Sequence, residues 1–92
     1  MKFAGILEIS TVKVVLFLGE KTEARYAELD RLVSSRGTLS LTLKELQGEG
    51  LIERRVVVSR PIQTYYALSK KGKKVAHALK QLADVFEIGP EI

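Results

Sequence analysis

Nine of the fifteen basic side chains fall between residues 34 and 74, namely Arg36, Lys44, Arg54, Arg55, Arg60, Lys70, Lys71, Lys73 and Lys74. Only Glu45, Glu49 and Glu53 oppose them there, so this segment has a surplus of six positive charges while the rest of the chain is net −2. Cations gathered in one contiguous half describe a surface that meets a polyanion. A solvated lysine-rich face has the same composition, and charge alone does not separate the two. Catalytic chemistry has no comparable signature. Cysteine is absent, which excludes disulfides, thiolate metal sites and thiol catalysis. His77, the single histidine, has no cysteine or clustered carboxylate near it and shares a polar helix side with Lys73, Lys80, Gln81 and Asp84. It reads as a surface or interface residue rather than a ligand or base. There is no paired carboxylate or nucleophile–base pair, and Gly48-x-Gly50 reads as a helix stop rather than a phosphate loop. The expectation is a protein with no catalytic site, no metal and no cofactor.

The bulk properties allow one small domain over residues 1–92, with a modest core. At 46% hydrophobic and 28% charged, the composition is that of an ordinary globular chain. The longest apolar run, Val14 to Leu18, is far short of the ~20 residues that cross a bilayer. Lys2 followed by Phe3–Leu7 faintly suggests a leader, but Glu8 interrupts the run and no small-residue cleavage site follows. The expected compartment is the cytoplasm.

The elements that must position the cations follow from capping and periodicity. Ser10-Thr11 is placed to cap a first helix, apolar almost all round from Val12 to Leu18 and stopped at Gly19. Residues 1–9 either extend it or lie across a partner. Glu20 to Ala24 reads as a polar connection, and Tyr26 to Val33 as a second helix with Tyr26, Leu29, Leu32 and Val33 on one face. Leu51 to Val58 and Ile62 to Leu68 are strand-like and flank Ser59-Arg60-Pro61, which makes a β-hairpin. Tyr66 faces inward in that alternation and Tyr65 outward. Ser69 caps a last helix, Lys70 to Phe86, with Val75, Leu79, Leu82 and Phe86 in one stripe.

Between these lies Thr38-Leu39-Ser40-Leu41-Thr42-Leu43-Lys44-Glu45-Leu46, which alternates like a strand yet spaces Leu39, Leu43 and Leu46 like a helix face. A strand here needs a pairing partner between two helices, and no turn signal offers one. A helix begun at Ser34 or Ser35 and ended near Gly50 closes a three-helix core instead. Leu41 then points away from the buried leucines, at about 160–200°.

Several stretches resemble the HxlR-type regulators, winged helix-turn-helix proteins related in fold to the MarR and PadR types. Arg25-Tyr26-Ala27-Glu28-Leu29 is similar to the family's Arg-Phe-x-Glu-Leu. Leu43-Lys44-Glu45-Leu46 with Glu49-Gly50-Leu51-Ile52 and Arg54 resembles its Leu-(Arg/Lys)-Glu-Leu…Asp-Gly-Leu-Val-x-Arg. Pro61, Tyr66, Leu68, Ser69 and Gly72 match its Pro…Tyr-x-Leu-(Thr/Ser)-x-x-Gly. The resemblance covers roughly residues 12–86 and departs from the family in two places. The N-terminal cysteine common in HxlR-type proteins is missing, and the usual Pro-Pro of the wing is reduced to Pro61. The implied fold is mainly helical α+β. It comprises three helices and a two-stranded wing, with a DNA-binding core over 10–68, and a C-terminal dimerisation helix over 69–88.

Groove geometry explains the residue types. A helix entering the major groove buries one face and offers short side chains on the other. The offered set is Ser35, Arg36, Gly37, Thr38, Ser40, Leu41 and Lys44, with Thr42 nearer the core edge. Arg36 suits a guanine or a phosphate, Lys44 a phosphate, and the free N–H groups at the helix start also favour phosphate. Leu41 suits a thymine methyl, or equally a packing contact with the wing or a partner chain. Arg60 is the wing-tip candidate for the minor groove. Arg54 and Arg55 alternate across a strand, so at most one faces DNA well. Lys70, Lys71, Lys73 and Lys74 oppose the dipole of their own helix, which fits contact with a DNA backbone as well as plain solubility. The apolar first helix and the stripe on the last suggest a two-fold dimer through both. The expected function is a homodimeric, double-stranded-DNA-binding transcriptional regulator with recognition helices at about 35–47 and wings at about 52–68. The alternatives are a winged-helix protein-interaction module and a non-specific architectural DNA-binding protein.

Overall fold

A computed structural model describes residues 3–86, and the expectations for residues 1–2 and 87–88 lie outside them. The elements are α1 (Phe3–Ile6), α2 (Ile9–Glu20), β1 (Ala24–Arg25), α3 (Tyr26–Asp30), α4 (Arg36–Gly48), β2 (Ile52–Val57), β3 (Gln63–Leu68) and α5 (Lys70–Val85). The expected order of helices around a hairpin is present, with a mainly helical α+β architecture. The short α1 and the strand β1 are additions to it.

The central element is α2, which packs on α4, α5 and β3. That position explains its apolar sequence: Val14, Val15, Leu16 and Leu18 are all buried within the protomer. A partner chain is therefore not needed to cover them, which corrects the inference drawn from the first helix. Its start is corrected too. The N-cap is Glu8, in extended conformation, and the helix begins two residues before Thr11. Thr11 is buried, and the Ser10 hydroxyl meets that of Thr42 on α4 at 3.0 Å. Neither hydroxyl is left to cap. Gly19 does not stop the helix, which runs on to Glu20. A Cβ at Gly19 would sit 3.2 Å from the Ala76 Cβ, so the missing side chain serves a close crossing of α2 and α5.

The supposed polar connection ends in a strand. β1 pairs antiparallel with β3, Ala24 opposite Tyr66 and Arg25 opposite Tyr65, giving a three-stranded sheet in the order β1-β3-β2. Two residues are too few to show a period, and only β3's free edge makes them a strand. α3 follows immediately and ends at Asp30 rather than Val33. Its first turn is tied down by Glu28, whose carboxylate accepts from the Arg25 backbone N–H at 3.1 Å and from the Lys21 ammonium at 3.1 Å. The Arg25 bond first, and Lys21 second, hold the Glu28 carboxyl below its ordinary 4.5.

The ambiguous stretch is helix. Ser35 caps α4, accepting from the Thr38 N–H at 3.3 Å, and Leu39, Leu43 and Leu46 are buried. Gly50 adopts a φ of 70° while its N–H bonds Gln47 and the Leu51 N–H bonds the Leu46 carbonyl, a left-handed helix ending that glycine adopts without Cβ strain. Ser69 caps α5 through the Gly72 N–H at 3.0 Å and donates to the Gly50 carbonyl at 2.6 Å. Two element ends are thereby stitched together.

The buried line of α5 is Gly72, Ala76, Leu79 and Ala83. Of the expected stripe only Leu79 is fully buried; Val75 packs at the core's margin, and Leu82 and Phe86 are exposed. The close approach at Gly19 and Ala76 selects small residues for the contact and turns the larger ones outward.

Candidate nucleic-acid interface

α4 divides its surface cleanly. At 3.6 residues per turn, Leu39, Thr42, Leu43 and Leu46 form the buried side, and Gly37, Leu41, Lys44 and Gly48 lie along a ridge opposite, within roughly 60° of one another. Leu41 is 57% exposed. It packs neither on the wing nor on any other part of the protomer as a buried residue would. Ser35, Arg36, Gly37, Thr38, Ser40 and Lys44 are exposed with it, and one acid, Glu45, flanks them. The expected set is therefore exposed, with Gly37, Leu41 and Lys44 on the ridge, Arg36 and Ser40 to one side of it, Thr38 to the other, Ser35 at the helix start and Thr42 inside.

Two of these side chains are held by partners that sequence reasoning missed. The Arg36 guanidinium donates to the Asp30 carboxylate at 3.2 Å, tying the start of α4 to the end of α3. The Ser40 hydroxyl lies 3.0 Å from that of Tyr26, whose ring packs at the margin of the core. No local pattern signals either contact, because each joins residues brought together by the turn between α3 and α4.

Strand register sorts the arginines of the wing. Directly paired residues share a sheet face, and Ile52 opposite Leu68 marks the core face. Arg54, opposite the buried Tyr66, continues that face beyond the core on the strand that α4 packs against. Arg55, opposite Tyr65, is on the other face. There it pairs with Glu23 at 2.8 Å and stacks on the Tyr65 ring, 4.6 Å from its centroid. Arg60 is exposed at the wing tip beside Val58 and Ile62, also exposed. At the far end of α4, Lys71 donates to the Glu49 carbonyl at 3.3 Å, while Lys70 is exposed.

No group of histidine, cysteine or carboxylate side chains suited to a metal ion occurs among the described residues, and no helix among them is long and apolar enough to cross a membrane. His77 is exposed on α5.

The family model described as HxlR-like helix-turn-helix matches residues 10–88. The chain belongs to that family. Two curated relatives from Bacillus subtilis (strain 168), both HTH-type transcriptional regulators, support the assignment. YvaP is 31% identical over 84 residues, covering 89% of this chain and 78% of the relative. YdzF is 36% identical over 66 residues, covering 70% of this chain and 61% of the relative. Among solved structures, a MarR-family regulator from Porphyromonas gingivalis W83 is similar at 29% identity with a TM-score of 0.69, over 79% of this chain and 74% of that one. The YtfH protein of Salmonella typhimurium shares the fold, with a TM-score of 0.79 at 24% identity, over 89% of this chain and 74% of that one. The fold is thus the winged helix-turn-helix, and the family and these relatives are transcriptional regulators, not enzymes. In this HxlR-like chain, β2 and β3 form the wing hairpin, and α4 is the helix that precedes it.

Proposed function

We propose that this HxlR-like chain is a double-stranded-DNA-binding transcriptional regulator that acts as a homodimer. α4 enters the major groove and the wing lies on the flanking minor groove or backbone, through Arg60 and Arg54. The observation that carries the reading is the outward face of α4, where Arg36, Gly37, Thr38, Ser40, Leu41 and Lys44 stand clear of the core and are short or cationic. Such a face suits a groove that admits a single helix. The start of α4, where Ser35 already takes the Thr38 N–H, favours phosphate through its helix N-terminus, and Lys70 and Lys71 supply further backbone contacts. The dimer rests on exposed apolar side chains at the two ends of the described chain: Phe3, Leu7 and Ile9 at one, Leu82, Val85 and Phe86 at the other. DNA places its expected compartment in the cytoplasm.

Selection of bound duplexes from random DNA, with a salt titration on the selected site, tests this. The expected result is a two-fold motif with half-sites about one helical turn apart and affinity that falls steeply with salt. Leu82→Glu is expected to give a monomer that binds a full site more weakly. Absence of binding at low salt overturns the reading in favour of a protein partner for α4. Equal, cooperative affinity for every sequence overturns it in favour of an architectural protein.

A further inference from the structure

The ridge of α4 holds an apolar side chain between two glycines, and neither glycine is needed by the fold. A Cβ on Gly37 would meet only the Ser35 Oγ at 3.7 Å, an ordinary contact, and one on Gly48 would meet nothing within 4 Å. A Cβ at either position would meet no close neighbour, so packing among the described residues does not require glycine there. Leu41 sits one turn after Gly37. Side chains on a helix lean toward the preceding turn, so the tip of Leu41 reaches over the place where Gly37 has no side chain. The result is a largely exposed isobutyl group on the ridge, one turn after a position with no side chain.

We propose that Leu41 reads the 5-methyl group of a thymine, and that Gly37 is the gap that lets α4 come close enough for the contact. This rests on the DNA-binding reading of α4. Among the edges that base pairs present in the major groove, the thymine methyl is the one apolar group. Leucine placed over any other edge desolvates a donor or acceptor without replacing its hydrogen bond, which disfavours those bases. Leu41 thus discriminates by attraction to one base and by penalty against the rest. Arg36 and Lys44, being cationic, orient the helix on phosphate or guanine but cannot recognise a methyl group.

The test uses the full chain and a duplex selected from random sequence, with each thymine replaced in turn by deoxyuridine, which lacks only the methyl. At one thymine per half-site the replacement is expected to weaken binding about fourfold, the worth of one buried methyl group. Leu41→Ala is expected to bind the two duplexes equally, with unchanged helix content. Gly37→Ala is expected to melt no lower than the parent and yet bind the thymine duplex less tightly. Salt-dependent, sequence-selective binding with no deoxyuridine penalty at any position overturns this inference and leaves the DNA reading intact. A penalty that persists in Leu41→Ala also overturns it, and full affinity in Gly37→Ala overturns the close approach. Failure of the parent to bind any duplex overturns both readings.

Discussion

One terminal nitrogen of Arg55 donates to both carboxylate oxygens of Glu23, at 2.8 and 3.0 Å, while the guanidinium lies over the Tyr65 ring. The pair is solvent-exposed and contributes little to stability on its own. Its consequence is directional, because it occupies Arg55 on the sheet face away from the one Arg54 shares with Tyr66. Arg54→Ala is therefore expected to flatten the slope of log affinity against log salt by about 0.9, the loss of one phosphate contact. Arg55→Ala is expected to leave that slope unchanged. Binding curves at several salt concentrations decide it.

Among Gly19, Gly37, Gly48, Gly50 and Gly72, the last has the least room for a side chain. A Cβ there would lie 1.9 Å from the Leu51 carbonyl oxygen, which already accepts from the Ser69 N–H at 2.9 Å. Relief requires moving backbone, not a flexible side chain. Gly72→Ala is expected to cost about 3 kcal/mol, at the upper end of overpacking penalties, and to lower the melting temperature by at least about 12 °C. Thermal unfolding followed by circular dichroism measures it.

Thr42 is buried and its hydroxyl has Ser10 as partner at 3.0 Å, joining α4 to α2. Thr42→Val keeps the shape and removes the bond, and is expected to cost about 1 kcal/mol. Ser10→Ala is expected to cost a similar amount, and the double variant less than the two together, since both singles break one interaction. Urea midpoints of the four proteins complete the cycle.

The lowered Glu28 carboxyl makes stability depend on pH in a definite sense. A group whose titration is depressed by folding stabilises the native state above its unfolded value and loses that contribution as pH falls through the folded one. Relative to Glu28→Gln, the parent is expected to be more stable above pH 4.5, the ordinary value for the group, with the difference closing as the pH drops below it. Denaturation midpoints measured from pH 7 downward test the sign, and a gap that widens on acidification contradicts it.

Much of the fold and of the candidate site is legible locally. The cap at Ser69 and the glycine at position 50 depend on backbone groups within a few residues and are found from residue type and position, whereas the sequence narrows the start of α4 only to Ser34 or Ser35 and the structure selects Ser35. The period of Leu39, Leu43 and Leu46 likewise determines which face of α4 is buried, and with it the outward set from Arg36 to Lys44.

What required the tertiary structure are contacts between residues that have no local reason to meet. β1 is a strand only because β3 offers an edge. Arg54 and Arg55 look alike in sequence, and the register against β3 separates them. The close crossing at Gly19 and Ala76 fixes the rotation of α5 and turns Leu82 and Phe86 outward, against the simplest reading of its apolar stripe. By itself the sequence determined the main helices and the hairpin, the family motif and the outward ridge of α4, because those follow from short-range periodicity and capping. Only the tertiary structure decided which cations are free, which apolar residues remain uncovered and that Leu41 stands exposed, because packing between distant segments sets what each side chain has left to meet.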